Sequence, residues 1–156
     1  MSELPAEPAA RVEMLMSRIV DALDLDAEVI VEEGEEEIAA RVDGEDLGLL
    51  IGRRGQTIDA VQLLGYRVAF RGRGDRKRVS VDAAGYRERR RETLEHQAER
   101  AAQRALEAGK EIELEPMSPS ERKIVHDRLK DRSGVETFSE GEEPERCVIV
   151  APLVGD

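Results

Sequence analysis

The stretch Leu50-Ile51-Gly52-Arg53-Arg54-Gly55-Gln56-Thr57-Ile58 decides how this chain is read. Two glycines three apart stand between an apolar segment and the start of a helical pattern. Glycine has no Cβ, so the backbone there can come close to a phosphate group. The N–H groups that open the following helix have no intrahelical acceptor and sit at its positive end, which favours anions. Arg53 and Arg54 can add charge-assisted hydrogen bonds to the same phosphates. Ile51 and Ile58 are expected to line an apolar groove beside the loop, against which bases can lie. The G-x-x-x-x-G-K-[ST] pattern of a phosphate-binding NTPase loop is absent.

Outward from the loop, Val12, Leu15, Met16, Ile19 and Leu23 recur at helical spacing and predict an amphipathic helix over about residues 8–25, after an irregular, disordered start at 1–8. Ala27-Val29-Val31 and Ile38-Ala40-Val42 alternate with polar neighbours around Glu33-Gly34-Glu35, which reads as a β-hairpin. A short helix at about 45–51 runs into the glycine loop, and a longer one continues from Gln56 to about Phe70. Val79 and Val81 alternate in a third strand. In this α-β-β-α-α-β setting, over residues 9–84, the G-x-x-G loop resembles that of the KH domain in its prokaryotic type II arrangement. That resemblance implies a loop clamping about four nucleotides of single-stranded RNA.

Charge distribution is compatible with such a ligand even though the net charge is −11. Residues 1–51 carry 3 basic and 15 acidic groups, residues 52–91 carry 12 and 4, and residues 92–156 carry 9 and 16. Exposed charges more than about 10 Å apart are largely screened at physiological salt, so the central basic stretch can act locally. It includes Arg87, Arg89, Arg90 and Arg91, in the first turns of the next helix, where the macrodipole makes cations slightly unfavourable. They read equally as a phosphate track or as a solvated face paired with Glu88, Glu92 and Glu95.

Gly85 marks a boundary, and residues 85–156 form a second module. A helix over about 86–108 ends at Gly109, and Ile112 and Leu114 make a short strand. Ser118-Pro119-Ser120-Glu121 is a capping box opening a helix to about Arg132. Strands at 135–139 and 146–151 flank the turn Gly141-Glu142-Glu143-Pro144. Arg122 and His126, four apart, project from one helix face. Arginine offers phosphate a planar donor fork, and histidine can donate to a phosphate or stack on a base. Arg122 to His126 with Phe138-Ser139-Glu140-Gly141 resembles the Arg-x-x-x-His, or R-three-H, domain, a single-stranded nucleic acid module.

The fold class expected is therefore α+β, a type II KH domain followed by a small α/β R-three-H domain. Over about residues 8–152 this order resembles the bacterial Jag family, also called KhpB or EloR. The resemblance implies binding of single-stranded RNA in the cytosol as a post-transcriptional regulator tied to cell elongation and division. A small KH-only protein is the implied partner, and a homodimer is compatible. Relatives often carry an additional N-terminal Jag domain and linker; this chain starts at the KH helix, so functions tied to that domain are not expected.

Other classes fare less well on the residues themselves. Only His96 and His126 are available as histidines, in different helices, with no metal-ligand spacing and no matched carboxylates, so neither an enzyme nor a metal or cofactor site is expected. Cys147, in Cys-Val-Ile-Val, reads as a buried strand residue. No apolar run approaches the ~18 residues needed to span a bilayer. The competing reading is a protein-interaction adaptor that retains both folds, with the acidic N-terminal hairpin as its contact surface. An adaptor, however, has no need of two arginines between the loop glycines.

Overall fold

A computed structural model of the protein describes residues 3–154. Its internal contacts divide the chain into two units, residues 1–87 and 88–156.

In the first unit the order is α1 (Pro8–Ala22), β1 (Ala27–Glu33), β2 (Glu37–Gly44), α2 (Gly48–Ile51), a 3-10 turn (Arg53–Gly55), α3 (Gln56–Ala69) and β3 (Arg78–Ala83). Helix α1 starts at Pro8, whose fixed φ suits a first helical turn. Ahead of the helix, Arg11 Nε donates to the Pro5 carbonyl at 2.6 Å. Residues 1 and 2 of the irregular stretch expected at 1–8 lie outside the described residues.

The hairpin pairs β1 with β2 antiparallel, and β2 then pairs with β3 in parallel. Ile38, Ala40 and Val42 stand opposite Val79, Val81 and Ala83, so two rows of alternating side chains meet in one core. Val12, Met16 and Val20 of α1 and Ile58, Val61, Gly65 and Ala69 of α3 close it, each set repeating every three or four residues.

The second unit holds most of α4 (Tyr86–Ala108), then β4 (Ile112–Glu113), α5 (Pro119–Leu129), β5 (Val135–Glu140) and β6 (Cys147–Pro152). Strand β6 lies between β4 and β5, antiparallel to both, and is buried from Cys147 to Ala151. A strand covered on both faces reads as a continuous apolar run, and this one does. Leu94, Ala98, Ala101, Ala102 and Ala105 are the buried stripe of α4, small side chains that admit a close approach.

The capping box forms as the sequence predicts, with Glu121 N–H donating to Ser118 Oγ at 3.3 Å and Ser118 N–H to Glu121 Oε2 at 3.3 Å. Glu121 Oε1 also accepts from Arg90 Nε at 2.8 Å, in a pair whose side chains are only 19% and 13% exposed. Helix α5 stops at Leu129, short of Arg132; Arg132 instead donates to Glu99 on α4 at 2.6 Å.

Candidate nucleic-acid interface

The loop between α2 and α3 is built from backbone geometry that few residues tolerate. Gly52 closes α2 at φ 74°, Arg54 sits at φ 55° and Gly55 at φ 73°. At Gly52 a Cβ would lie 2.1 Å from Thr57 Oγ1, and at Gly55 one would lie 2.7 Å from a ring carbon of Tyr86. Both glycines are thus required twice over, by positive φ and by close neighbours. Gly55 is also the residue before α3, where no side chain caps the helix start. The Gln56 N–H donates to the Arg53 carbonyl, and the first-turn amides that follow it have no side-chain cap, an arrangement suited to anions at a helix N-terminus.

Arg53 is exposed and Arg54 half-buried. Between the glycines, therefore, one arginine stands in solvent at the positive end of α3. Asp59, the acid in the first turn of α3, would oppose a bound phosphate, but Arg87 Nη1 donates to its Oδ1 at 2.8 Å.

That pairing changes the reading of the arginine run. Arg87 also donates to Gln62 Oε1 at 3.0 Å and to the Val81 carbonyl at 2.8 Å, tying α3 to β3. Arg90 is committed to Glu121, and Arg91 pairs with Glu95 at 3.1 Å. Arg89, exposed, has a partner of its own. Each of the four is held by a separate group of the protein. Acids distant in sequence neutralise Arg87 and Arg90, which a reading confined to one helix could not foresee.

Ile58 also departs from expectation. It is fully buried as the first member of the inward stripe of α3 and lines no groove. Ile51 is half-buried against the same core. The apolar side chain exposed next to the loop is Leu49, at 67%. Sequence reasoning passed over Leu49 because two further apolar residues follow it, and only packing decides which of three points outward.

In the second unit Arg122 and His126 do share one side of α5, but both are engaged by the protein. Arg122 is buried, its Nη1 donating to the Met117 carbonyl at 2.7 Å and its Nη2 to Glu143. His126 is half-buried between two hydroxyls of β5, with Nδ1 2.7 Å from Thr137 Oγ1 and Nε2 3.0 Å from Ser139 Oγ. Thr137 and Ser139 are two apart on a strand and hence on one face, whereas Phe138 between them points away and is 38% exposed. The pairing of Arg122 with Glu143 and of His126 with Thr137 and Ser139 was not legible in the sequence, because each partner lies more than ten residues away.

Burial, then the positive charge of Arg122, holds the His126 imidazole below its ordinary pKa, partly opposed by Asp127. A depressed histidine pKa means that the unfolded chain takes up the proton first. Its contribution to stability is therefore complete above about pH 6.5 and lost as pH falls below it. Thermal melts between about pH 7.5 and 5.5 are expected to show the second unit weakening toward acid, with a flatter profile in His126→Gln. Identical profiles for the two proteins would exclude this role.

Among the described residues no cluster of histidine, cysteine and carboxylate side chains could hold a metal ion. No described helix is long and apolar enough to cross a membrane. Cys147 is buried, and burial pushes its thiol pKa up, away from the reactive thiolate.

A mixed three-stranded sheet, antiparallel between β1 and β2 and parallel between β2 and β3, with a glycine loop opening α3 and a capped-helix unit after it, defines a protein with a KH domain and an R-three-H domain. Residues 9–82 match the family described as KhpA/KhpB, KH domain, and residues 92–152 match the R-three-H domain. The chain is 41% identical over 138 residues to RNA-binding protein KhpB of Clostridium symbiosum, covering 87% of this chain and 62% of that protein. With RNA-binding protein KhpB of Bacillus subtilis the identity is 36% over 147 residues, covering 93% of this chain and 71% of that protein. The chain belongs to the KhpB family.

Proposed function

We propose that this protein binds single-stranded RNA, with the Gly52–Gly55 loop as the principal phosphate clamp. The observation that carries the reading is the uncapped start of α3, reached through two glycines that admit no Cβ and flanked by Arg53 and Arg54. The two relatives named above, each an RNA-binding protein, support it. Ile51 and exposed Leu49 supply the apolar surface beside the loop. In the second unit Arg122 and His126 shape a supporting face on which the Thr137 and Ser139 hydroxyls can meet sugar or phosphate. The family resemblance extends the proposal to a cytosolic post-transcriptional regulator linked to cell elongation and division, able to pair with a small KH-only protein or with a second copy of itself, and without catalytic activity.

Crosslinking to cellular RNA followed by sequencing tests the function directly; recovery of no RNA above background favours the adaptor. In vitro, binding is expected to depend on salt despite the acidic composition. With roughly three to five phosphates neutralised, log K against log salt should fall with a slope of about −2 to −3.5. A flat response, or equal affinity for duplex and single strand, would count against the loop as a clamp, since a KH groove needs splayed bases.

A further inference from the structure

A recess at the C-terminal end of α3 is used by nothing described so far. Leu63, Tyr66, Arg67, Arg71, Gly72 and Arg76 line it, and its volume is about 240 Å3. Arg67, Arg71 and Arg76 are exposed, and among the described residues none of the three pairs with a carboxylate. The neighbouring cations differ: Asp75 holds Arg73 at 2.9 Å, Glu33 holds Lys77 at 2.7 Å, and Glu37 stands 3.6 Å from Arg78. The uncompensated arginines of this region are those that line the recess.

The recess has a braced wall. Arg76 Nη1 donates to the Tyr66 hydroxyl at 3.4 Å, and its guanidinium lies 5.9 Å from the Tyr66 ring centroid. Tyr66 in turn packs against buried Phe70, with ring centroids 5.5 Å apart. At the rim, a Cβ on Gly72 would meet nothing within 4 Å, so the entrance is open. A helix C-terminus attracts cations through its macrodipole. Here that demand is already met by Arg11, whose Nη1 donates to the Ala69 and Arg71 carbonyls at 3.2 and 3.0 Å. Three further arginines call for a different explanation.

The volume falls below the ~300–1,000 Å3 usual for small-molecule sites, and the charge is of one sign. Both features suit the phosphate of a polymer. The larger recess of the second unit makes the contrast: its Arg91, Lys123 and Arg128 are each paired with Glu95 or Asp127.

We propose that the recess at the end of α3 is a second phosphate-binding site for the RNA strand held at the glycine loop, an inference that rests on the RNA-binding reading. The 14 residues of α3 separate the two sites. At about 1.5 Å per residue that is roughly 20 Å, so a strand whose four or so nucleotides fill the groove at the glycine loop needs further nucleotides to occupy the recess as well. A longer strand gains from the second site through effective concentration.

The test compares the full chain with Arg67→Ala/Arg71→Ala, two exposed positions outside the glycine loop, by fluorescence anisotropy. The probes are unstructured RNAs of about four and about twelve nucleotides. The double variant is expected to bind the longer RNA about fivefold more weakly, to bind the short one unchanged, and to show a salt slope shallower by about 1.4. Unchanged affinity and slope with the longer RNA overturn the proposal while leaving the loop reading intact, provided Arg53→Asp/Arg54→Asp weakens binding at least tenfold in the same assay. Equal loss with both lengths overturns it as well. A change in self-association with RNA affinity unaltered assigns the recess to a protein interface and overturns it. Failure of the unaltered protein to bind either RNA removes both readings together.

Discussion

Replacing Arg53 and Arg54 together by aspartate is expected to weaken binding of single-stranded RNA at least tenfold while the fold persists. Two cations at the positive end of α3 become two anions, where a phosphate is to sit. A charge-assisted hydrogen bond is worth roughly 1.5–3 kcal/mol, so removing even one accounts for the tenfold change. The backbone should tolerate the exchange: Arg54 lies at φ 55°, a region in which aspartate is enriched among non-glycine residues. Filter-binding titrations beside thermal melts separate the outcomes. Unchanged affinity at unchanged stability would remove the loop from the interface.

Arg122→Ala is expected to act mainly on stability. Its guanidinium is buried and joins the Met117 carbonyl, just before the capping box, to Glu143 in the turn before β6. Truncation leaves the carbonyl without this donor, at about 1–3 kcal/mol, and opens a space where the side chain lay. For a unit of this size the melting temperature should fall by about 4–8 °C for each kcal/mol. Hydrogen exchange should place the loss in α5 and β6, with affinity for a four-nucleotide RNA, the KH ligand, about unchanged. If melting and exchange stay as they were while affinity for long RNA drops, Arg122 is an RNA ligand first and a structural residue second.

The two predictions differ because two motifs that look alike in sequence are spent differently. Arg53 lies exposed in a loop between glycines, at the start of α3. Arg122 lies on a helix that must cover a sheet, so its fork is taken up by the protein itself. The same division explains the run from Arg87 to Arg91, where through-space acids at Asp59 and Glu121 claim two of the four.

The sequence by itself determined the elements and the loop. Hydrophobic spacing of 3.6 or 2 residues, the glycines at 52, 55 and 109, and the Ser118–Glu121 capping box are local signals, each acting within a turn or two of chain. They sufficed for the order of helices and strands, while α1 and α5 each end about three residues earlier and α2 starts about three residues later than the periodicity alone suggested. Tertiary structure alone decided the parallel pairing of β2 with β3, the burial of Ile58 in place of a groove role, and the ring of Tyr86 beneath Gly55. It also left Arg67, Arg71 and Arg76 without acids while pairing their neighbours. Those outcomes depend on which distant side chain reaches a given charge or fills a given space, and such contacts are set by packing across tens of residues, where local periodicity carries no information.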